Sequence, residues 1–315
     1  MTLAQDRPST RRARRVIVVG AGVVGLSCAV RLLEAGHRVD VVGRDLPLET
    51  TSSVAAAVWS PYAKPQEHVV RWARTAYDAF AALCDDASTG VVMRTGTELF
   101  HVSAGDLWWR EALPPGAGPD RETSLPPGFA SGLTMRTPVI EMPVYLRWLT
   151  ARVEELGGTV TRMNLSALPT GDALVVNASG IGARLLGGDH GVAPVRGQVV
   201  LVEQVGLERW WIDAETPTYV VPRSRDIVLG GTAIEGEWSR TPDPATAELV
   251  LARATEIEPR LAGARILRHK VGLRPGRAAV RLEREGDVIH CYGHGGFGVT
   301  VSWGCADDVV GLAGD

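Results

Sequence analysis

A glycine-rich segment close to the start of the chain constrains its fold more than any other feature. The apolar run VIVV at 16–19 predicts a β-strand, and GAGVVG at 20–25 follows it directly. Leu26, Ala29 and Leu33 then recur at helical spacing, so the order is strand, glycine turn, helix. This order predicts the first half of a βαβ unit that binds a dinucleotide.

The three glycines of this turn have separate expected roles. Gly20 permits a tight turn, Gly22 lets the backbone approach a pyrophosphate, and Gly25 lets the helix pack closely on the strand. Free N–H groups at the helix N-terminus attract the phosphates. Gly36 ends the helix, and HRVDVVGRD at 37–45 supplies a second strand. We therefore predict a nucleotide site rather than a glycine turn that binds nothing.

The residue that would bind the ribose of this nucleotide stays open. Asp40 has the usual separation from the glycines, but it lies inside the second strand. Arg44 and Asp45 follow the end of that strand, so we take these two as the candidates.

Composition excludes several classes of protein. The 315 residues carry 33 Lys plus Arg and 36 Asp plus Glu, a net charge of −3, so no overall field favours nucleic acid or anionic lipid. No apolar run reaches the length of about 18 residues that spans a membrane. The basic cluster RRARR at 11–15 has two functional interpretations, an export signal or a nucleic-acid arm, but we expect a disordered leader.

Cysteine usage predicts no metal site. Cys28, Cys84, Cys291 and Cys305 have neither CxxC spacing nor a pattern with histidines that suits zinc. We expect buried free thiols in a reducing compartment, which indicates a cytoplasmic protein.

The remaining segments predict an α/β chain with a second sheet. TTSSVAAAVWSPY at 50–62 is either a buried connection or a loop that hugs a ligand, and its composition does not decide between them. Residues 68–84 form an amphipathic helix, and Pro143 opens another. DALVVNASGIGA at 172–183 repeats the order of strand and glycine turn. Further strands are expected at RGQVVLVEQ, PTYVVP and RDIVLGGTA, a helix at PATAELVLARATEIEP, and a surface loop at 114–128.

Near its end the chain concentrates four glycines around one histidine, in YGHGGFGVTVSWG at 292–304. With this segment the chain resembles the D-amino-acid oxidases, FAD-dependent flavoproteins that include D-aspartate oxidase and, more distantly, glycine oxidase. The other matching segments, in chain order, are VIVVGAGVVGLS, GRDLP, TTSSVAAAVWSPY, LVVNASG, RGQV, TYVVPRSRDIVLGGT and VGLRPGRAAVRLERE.

The resemblance implies an α/β fold with two discontinuous domains. A Rossmann-like FAD-binding domain would comprise residues 1–64, 141–196 and 275–315. An inserted α+β substrate-binding domain with a largely antiparallel sheet would comprise 65–140 and 197–274.

The resemblance also implies an activity and its substrate-binding residues. D-amino acids and O2 would be the substrates, the Cα hydrogen would leave as hydride to flavin N5, and a 2-oxo acid, ammonia and hydrogen peroxide would be the products. No side-chain base would be needed, so His294 is expected to be structural. Arg274 would pair with the substrate carboxylate through its planar fork, Tyr219 would also bind that carboxylate, and the carbonyl of Gly296 would accept from the amine.

The same resemblance assigns the contacts with FAD to residues along most of the chain. They are Gly20, Ala21, Gly22, Val23, Val24, Gly25, Arg44, Asp45, Thr50, Thr51, Ser52, Ala57, Val58, Leu165, Ser179, Gly180, Arg274, Gly293, Gly295, Gly296, Phe297, Gly298, Val299 and Thr300.

Two departures from the family pattern bear on specificity. Glu215 and Ala233 stand where different members carry a second active-site tyrosine, and D-aspartate oxidases carry an arginine at the position of Ala233. Without that arginine a side-chain carboxylate would enter the pocket unpaired, so neutral D-amino acids are the expected substrates. Glu215, if it lies near the pocket mouth, would favour basic ones. A glycine oxidase, a D-aspartate oxidase or a non-catalytic nucleotide-binding sensor remains an alternative, and a homodimer is one option for the assembly.

Overall fold

The computed structural model describes residues 13–60, 68–105 and 107–314. Most of the predicted basic leader, and the last two residues of TTSSVAAAVWSPY, lie outside the described residues. The strands, in chain order, are β1 (Arg15–Val19), β2 (Arg38–Gly43), β3 (Val91–Phe100), β4 (Asp120–Arg121), β5 (Ser131–Ile140), β6 (Thr159–Arg162), β7 (Leu174–Asn177), β8 (Ala193–Glu203), β9 (Trp210–Asp213), β10 (Tyr219–Pro222), β11 (Asp226–Gly230), β12 (Ile234–Glu235), β13 (Ile266–Gly276), β14 (Arg281–Glu285) and β15 (Val288–Tyr292).

The α-helices cover the predicted amphipathic segments. The helix expected at 68–84 is observed, and the one expected to open at Pro143 begins one residue earlier because a proline is tolerated in the first helical turn. The helices are α1 (Val23–Glu34), α2 (Val69–Leu83), α3 (Met142–Glu155), α4 (Ala183–Leu186), α5 (Pro244–Ile257) and α6 (Gly298–Gly314). Among the described residues, no helix combines the length and the apolar character that crossing a bilayer would require.

The first sheet has six strands in the order β14-β15-β7-β1-β2-β6. β1 lies parallel to both β2 and β7, and only β14 runs antiparallel to its neighbour. β7 is buried along its whole length, as is typical of a parallel sheet covered on both faces. Gly36, with φ of +88°, follows α1 and turns the chain into β2. The predicted order of strand, glycine turn, helix and strand is therefore confirmed.

The second sheet has nine strands and is largely antiparallel, as expected. Its order is β12-β8-β11-β10-β9-β3-β5-β4, and β13 pairs with β8. Among the described strands of this sheet, β3 and β9 are the one parallel pair. Helix α5 covers one face, where Val250 and Ala254 pack with Val200 and Leu229 of the strands.

The six strands of the first sheet all fall within the residues predicted to form the FAD-binding domain, whereas β8 and β13 of the second sheet each cross a predicted domain boundary. Helix α2, from the other predicted domain, packs against α6: a Cβ at Gly304 would lie 2.3 Å from the backbone of Trp72. Arg71 also binds Asp308 of α6 at 2.7 Å. The boundaries of the two domains stay a prediction.

The loop expected at 114–128 differs from its prediction, because part of it belongs to the second sheet. β4 pairs with β5, and the carboxylate of Glu122 accepts hydrogen bonds from Thr134 and Arg209. The backbone N–H of Ser124, and after it the hydroxyl of Thr134 and the guanidinium of Arg209, lower the pKa of Glu122 from 4.5 to about 2. This carboxylate therefore anchors a segment whose proline and glycine content alone predicts a free surface loop.

Candidate functional site

A cavity of about 830 Å³ lies at the carboxyl ends of the parallel strands and extends to the second sheet. Val19, Gly43 and Ala178, at or just after the ends of three adjacent strands, form part of its wall. In open α/β sheets, ligands bind outside these strand ends because the loops and helix N-termini converge there.

The glycine turn after β1 allows only glycine at two of its positions. Gly20 has φ of +119°, and a Cβ there would lie 2.3 Å from the carbonyl oxygen of Ala178. A Cβ at Gly25 would lie 1.9 Å from the carbonyl oxygen of Gly20. Gly22 lines the cavity, where a missing side chain leaves the backbone accessible. The arrangement fits a pyrophosphate held at the N-terminus of α1.

The described part of this segment, residues 50–60, has both of the characters that its sequence left open. Thr50, Thr51 and Ser52 line the cavity, and the hydroxyl of Ser52 accepts a 3.0 Å hydrogen bond from the backbone N–H of Val23 at the start of α1. The later part is a buried connection, because Trp59 is fully buried and Val58 pairs with Val139 of β5.

The structure distinguishes between the residues that were candidates for binding the ribose. Asp40 lies away from the cavity wall, since its carboxylate binds Arg15 at 3.0 Å and Thr159 at 2.9 Å. Arg44 and Asp45 line the cavity and bind each other at 2.7 Å. The hydrogen bond from Arg44 lowers the pKa of Asp45, so this carboxylate is ionised and can accept from a hydroxyl.

Most of the predicted FAD contacts line the same cavity: Gly20, Ala21, Gly22, Val23, Val24, Arg44, Asp45, Thr50, Thr51, Ser52, Leu165, Ser179, Gly180, Arg274, Gly295, Gly296, Gly298 and Val299. Six others do not line it, namely Gly25, Ala57, Val58, Gly293, Phe297 and Thr300. Ala57 and Val58 bond to β5 instead, and the hydroxyl of Thr300 donates to the carbonyl of Ser60 at 3.1 Å.

At the opposite end of the cavity, Tyr219 of β10 and Arg274 of β13 come together. Both side chains lie over glycines of neighbouring strands. A Cβ at Gly230 would be 1.8 Å from the ring of Tyr219, and one at Gly197 would be 2.4 Å from the guanidinium of Arg274. Nη1 of Arg274 donates to the carbonyl of Thr232 at 2.8 Å. The missing side chains of Gly230 and Gly197 therefore leave the space that the side chains of Tyr219 and Arg274 occupy.

The electrostatics of this end favour an anion. Burial raises the pKa of Tyr219, although the charge of Arg274 and a hydrogen bond to it act in the opposite direction. The phenol therefore stays protonated at neutral pH and remains a donor. Among the described residues, Arg274 has no carboxylate partner, since its side chain contacts Thr232 and Tyr219. One cation and one hydroxyl donor thus share a site without a counter-ion.

The glycine cluster forms a third wall of the cavity. Gly295, Gly296 and Gly298 line it, and the N–H of Gly295 donates to the carbonyl of Pro275, the residue after Arg274, at 2.9 Å. Helix α6 begins at Gly298, so its N-terminus also faces the cavity. Any negative charge that develops on a group bound there would be stabilised by the helix dipole.

His294, in the middle of this cluster, is only 4% exposed. Its Nε2 lies 3.6 Å from the Sγ of Cys305 in α6. The thiols of Cys28 and Cys305, and His294 as well, lower the pKa of the buried Cys291 thiol. The grouping of Cys291, His294 and Cys305 was not predictable, because these residues have no regular spacing along the chain.

Sequence reasoning missed several residues of the cavity wall. Trp238 and Arg240, from the segment after β12, line it, and Trp238 is 52% exposed. A tryptophan among charged residues in a loop was the available signal. Glu215, in contrast, does not line the cavity, because its carboxylate accepts from the backbone N–H of His101 at 2.9 Å. No contact of Glu215 with the cavity therefore supports its expected influence on basic substrates.

The class of this protein follows from its fold and cavity and from the match of its sequence to a family model. A family model described as FAD dependent oxidoreductase matches residues 15–312. The chain belongs to this family of FAD-dependent oxidoreductases, and the resemblance seen in its motifs is confirmed. FAD is its cofactor, which agrees with the glycine turn and the two helix N-termini at the cavity.

Particular relatives narrow the comparison. The chain is 50% identical to a D-amino-acid oxidase of Rubrobacter xylanophilus over 317 residues, which cover 96% of this chain and 97% of the relative. It is 42% identical to a D-amino-acid oxidase of Streptomyces coelicolor over 318 residues, with the same coverage of 96% and 97%. A glycine oxidase from Geobacillus kaustophilus has the same fold, with a TM-score of 0.83, 21% identity, and coverage of 96% of this chain and 95% of that one.

Proposed function

We propose that this chain is a D-amino-acid oxidase that acts on neutral D-amino acids. The observation that carries the proposal is the pairing of Arg274 with Tyr219 at one end of the cavity, where Arg274 lacks a carboxylate partner among the described residues. A guanidinium and a phenol in contact suit an α-carboxylate, which can accept from both groups. The similarity to relatives named D-amino-acid oxidase supports the same activity.

Arg274 and Tyr219 orient the substrate by its carboxylate. The planar fork of the arginine offers two parallel N–H donors, and its contact with Thr232 fixes the direction of the fork. The carbonyl of Gly296, which lines the same cavity, accepts from the substrate amine. Two attachment points on opposite sides of Cα determine which of its faces turns toward the cofactor, and this selects the D-enantiomer.

FAD, when bound, supplies the redox chemistry by accepting the hydride from Cα. The glycine turn and the N-terminus of α1 would hold its pyrophosphate, and Arg44 with Asp45 would hold its ribose. The glycine cluster and the N-terminus of α6 would lie against its ring system. Tyr219 is protonated at neutral pH because its pKa is raised, so it acts as a donor rather than as a base.

The preference for neutral side chains rests on Ala233. This residue offers no charge to a second carboxylate, and burying an unpaired carboxylate is costly.

We further propose the division into an FAD-binding domain (1–64, 141–196, 275–315) and a substrate-binding domain (65–140, 197–274). A cytoplasmic location is supported by the buried thiols of Cys28, Cys291 and Cys305. A homodimer stays a prediction that light scattering would test.

A test of the activity combines two measurements on the purified holoenzyme. Under anaerobic conditions, neutral D-amino acids should bleach the yellow flavin, whereas their L-enantiomers should not. In air, the same D-amino acids should generate hydrogen peroxide, with D-aspartate and glycine far slower. Bleaching only by glycine or D-aspartate would reassign the substrate, and a flavin that no amino acid bleaches would leave the protein as a nucleotide-binding sensor.

A further inference from the structure

The segment that follows β12 forms part of the cavity wall and has no role in the chemistry described so far. We call residues 236–243 the strap. Trp238 and Arg240 of the strap line the cavity, although the strap comes from the second sheet. β12 pairs with β8, and the N–H of Gly236 donates to the carbonyl of Pro194 at 2.8 Å. The start of the strap is therefore fixed to β8.

Two buried polar side chains of β8 hold the rest of the strap. Arg196 is 4% exposed, and its guanidinium donates to the carbonyls of Ser239 at 3.0 Å and Thr241 at 2.7 Å. These two residues stand on either side of Arg240. Gln198 is fully buried and binds the backbone at the end of the strap through both its amide nitrogen and its amide oxygen. The backbone that carries Arg240 is thus held by buried groups, which are costly to leave unpaired.

The side chain of Arg240, in contrast, has no such partner. It is exposed, and among the described residues its guanidinium forms no hydrogen bond and no ion pair. Its charge nevertheless acts at the nucleotide end of the cavity. The hydrogen bond from Arg44 is the largest cause of the lowered pKa of Asp45, and the charge of Arg240 lowers it further. Arg240 therefore lies within electrostatic range of the nucleotide end.

The charges on the cavity wall are unbalanced. Among the described residues that line it, four are arginines and one is a carboxylate, Asp45. Arg44 pairs with this carboxylate. Arg184 donates to two backbone carbonyls, and Arg274 is assigned to the substrate. Arg240 is the cation that remains.

The pyrophosphate of FAD is the anion that matches this cation. It is a dianion, whereas the glycine turn and the N-terminus of α1 offer it only partial positive charges. A guanidinium adds a full charge and a planar fork of N–H donors that suits phosphate oxygens.

We propose that Arg240 is a cofactor-binding residue whose guanidinium pairs with the pyrophosphate of FAD. The second sheet thereby contributes to a site whose other phosphate contacts come from the glycine turn and α1. Because Arg196 fixes the backbone on both sides of Arg240, less conformational entropy is lost when the side chain binds. This role depends on FAD being the cofactor and is independent of which amino acid is oxidised.

The test measures how tightly the holoenzyme retains FAD, without any amino acid present. Serial dilution of the purified holoenzyme releases FAD, and the fluorescence of the free flavin gives its Kd. Arg240→Ala should raise this Kd by about tenfold or more, the effect of losing a hydrogen bond between charged groups. Arg225→Ala is the matched control, because Arg225 is exposed between β10 and β11 and does not line the cavity. It removes the same charge and should retain FAD like the wild type.

Salt separates a charge contact from a general loss of stability. KCl should raise the Kd of the wild type and of Arg225→Ala more steeply than that of Arg240→Ala, since this variant has lost a screened interaction. Arg240→Lys keeps the charge without the fork, so its Kd should lie between those of the wild type and Arg240→Ala.

Three results would overturn the assignment: an unchanged Kd in Arg240→Ala, an equal rise in Arg225→Ala, or the same salt dependence in Arg240→Ala and the wild type. Oxidation of an amino acid does not enter this measurement. A failure of the role of Arg240 is therefore distinguishable from a failure of the proposed activity.

Discussion

The two ends of the cavity are built in different ways. At the nucleotide end, one continuous stretch from β1 to Asp45 supplies the glycine turn, the helix N-terminus and the acidic residue, and backbone groups of the glycine turn line the cavity there. At the substrate end, Tyr219 and Arg274 come from separate strands of the second sheet, and the contacts are side chains. A backbone site tolerates no added atoms, whereas a side-chain site can lose one group at a time. Substitutions at the nucleotide end should therefore abolish cofactor binding. Substitutions at the substrate end should lower the activity in steps, one for each group that is removed.

The largest expected effect is that of Gly25→Ala at the nucleotide end. Its new Cβ would lie 1.9 Å from the carbonyl oxygen of Gly20, a backbone atom that has no room to move. We expect insoluble protein or purified protein without yellow colour. The matched control is Gly311→Ala in α6, where a Cβ meets nothing within 4 Å and alanine should stabilise the helix by about 0.5–1 kcal/mol. Flavin absorbance per chain and the thermal midpoint measure both outcomes, and a yellow Gly25→Ala protein of normal stability would refute the packing argument.

At the substrate end, Arg274→Ala should leave the flavin bound but lower kcat/KM for a neutral D-amino acid. Two hydrogen bonds to a charged group, at about 1.5–3 kcal/mol each, correspond to a loss of about 100-fold or more. Arg265→Ala serves as the control, because Arg265 is exposed and its ion pair is with Glu203 at the surface. Steady-state kinetics with a peroxide readout compares them. An unchanged kcat/KM in Arg274→Ala would show that Arg274 does not bind the substrate.

A buried carboxyl group in the second sheet should make stability depend on pH. Burial raises the pKa of Glu98 from 4.5 to about 7. The folded protein keeps this proton between about pH 4.5 and 7 while the unfolded chain has lost it, so stability falls as pH rises through that window, by about 3 kcal/mol in total.

Glu98→Gln should remove this loss, so its stability relative to the wild type should rise from pH 4.5 to 7. Glu248→Gln, at an exposed position of α5, is the control and should follow the wild type at every pH. Urea unfolding across the window measures the difference. Parallel curves for the wild type and Glu98→Gln would show that Glu98 keeps its ordinary pKa.

The smallest expected effect is that of Tyr219→Phe, which removes one hydroxyl and keeps the ring over Gly230. Loss of one hydrogen bond to an anion, about 1.5 kcal/mol, should raise KM for the D-amino acid by about tenfold. The flavin spectrum and the fold should not change. If kcat fell by the same factor and KM stayed constant, the hydroxyl would act in the transition state rather than in substrate binding.

Much of the fold follows from patterns that are local in sequence. The strand, the glycine turn and α1 depend on interactions within about twenty residues, and so do α2, α3 and α5, whose apolar spacing defines a buried face. The anchoring of the loop at 114–128 was not predictable, because it depends on Arg209, which is 87 residues from Glu122. Proline and glycine content describes a backbone preference and carries no information about such a partner.

The candidate site divides in the same manner. Gly20, Gly22 and Gly25 were identified from their spacing, since each one meets a steric demand of the turn itself. Tyr219 and Arg274 could be named only through the resemblance, because a tyrosine in a strand and an arginine before a proline have ordinary structural explanations. Trp238 and Arg240 had only a weak signal, a tryptophan among charged residues in a loop, because the rest of the cavity wall that they join is distant in sequence.

The sequence by itself determined the nucleotide half of this protein, because glycine spacing and helix periodicity are consequences of steric limits that act over a few residues. Tertiary structure alone decided which polar groups meet in the substrate half and around His294. β10 and β13 are brought together by the strands between them, and α1 and α6 by their packing against each other. Contacts of this kind depend on how whole elements are arranged, which no short stretch of the chain encodes.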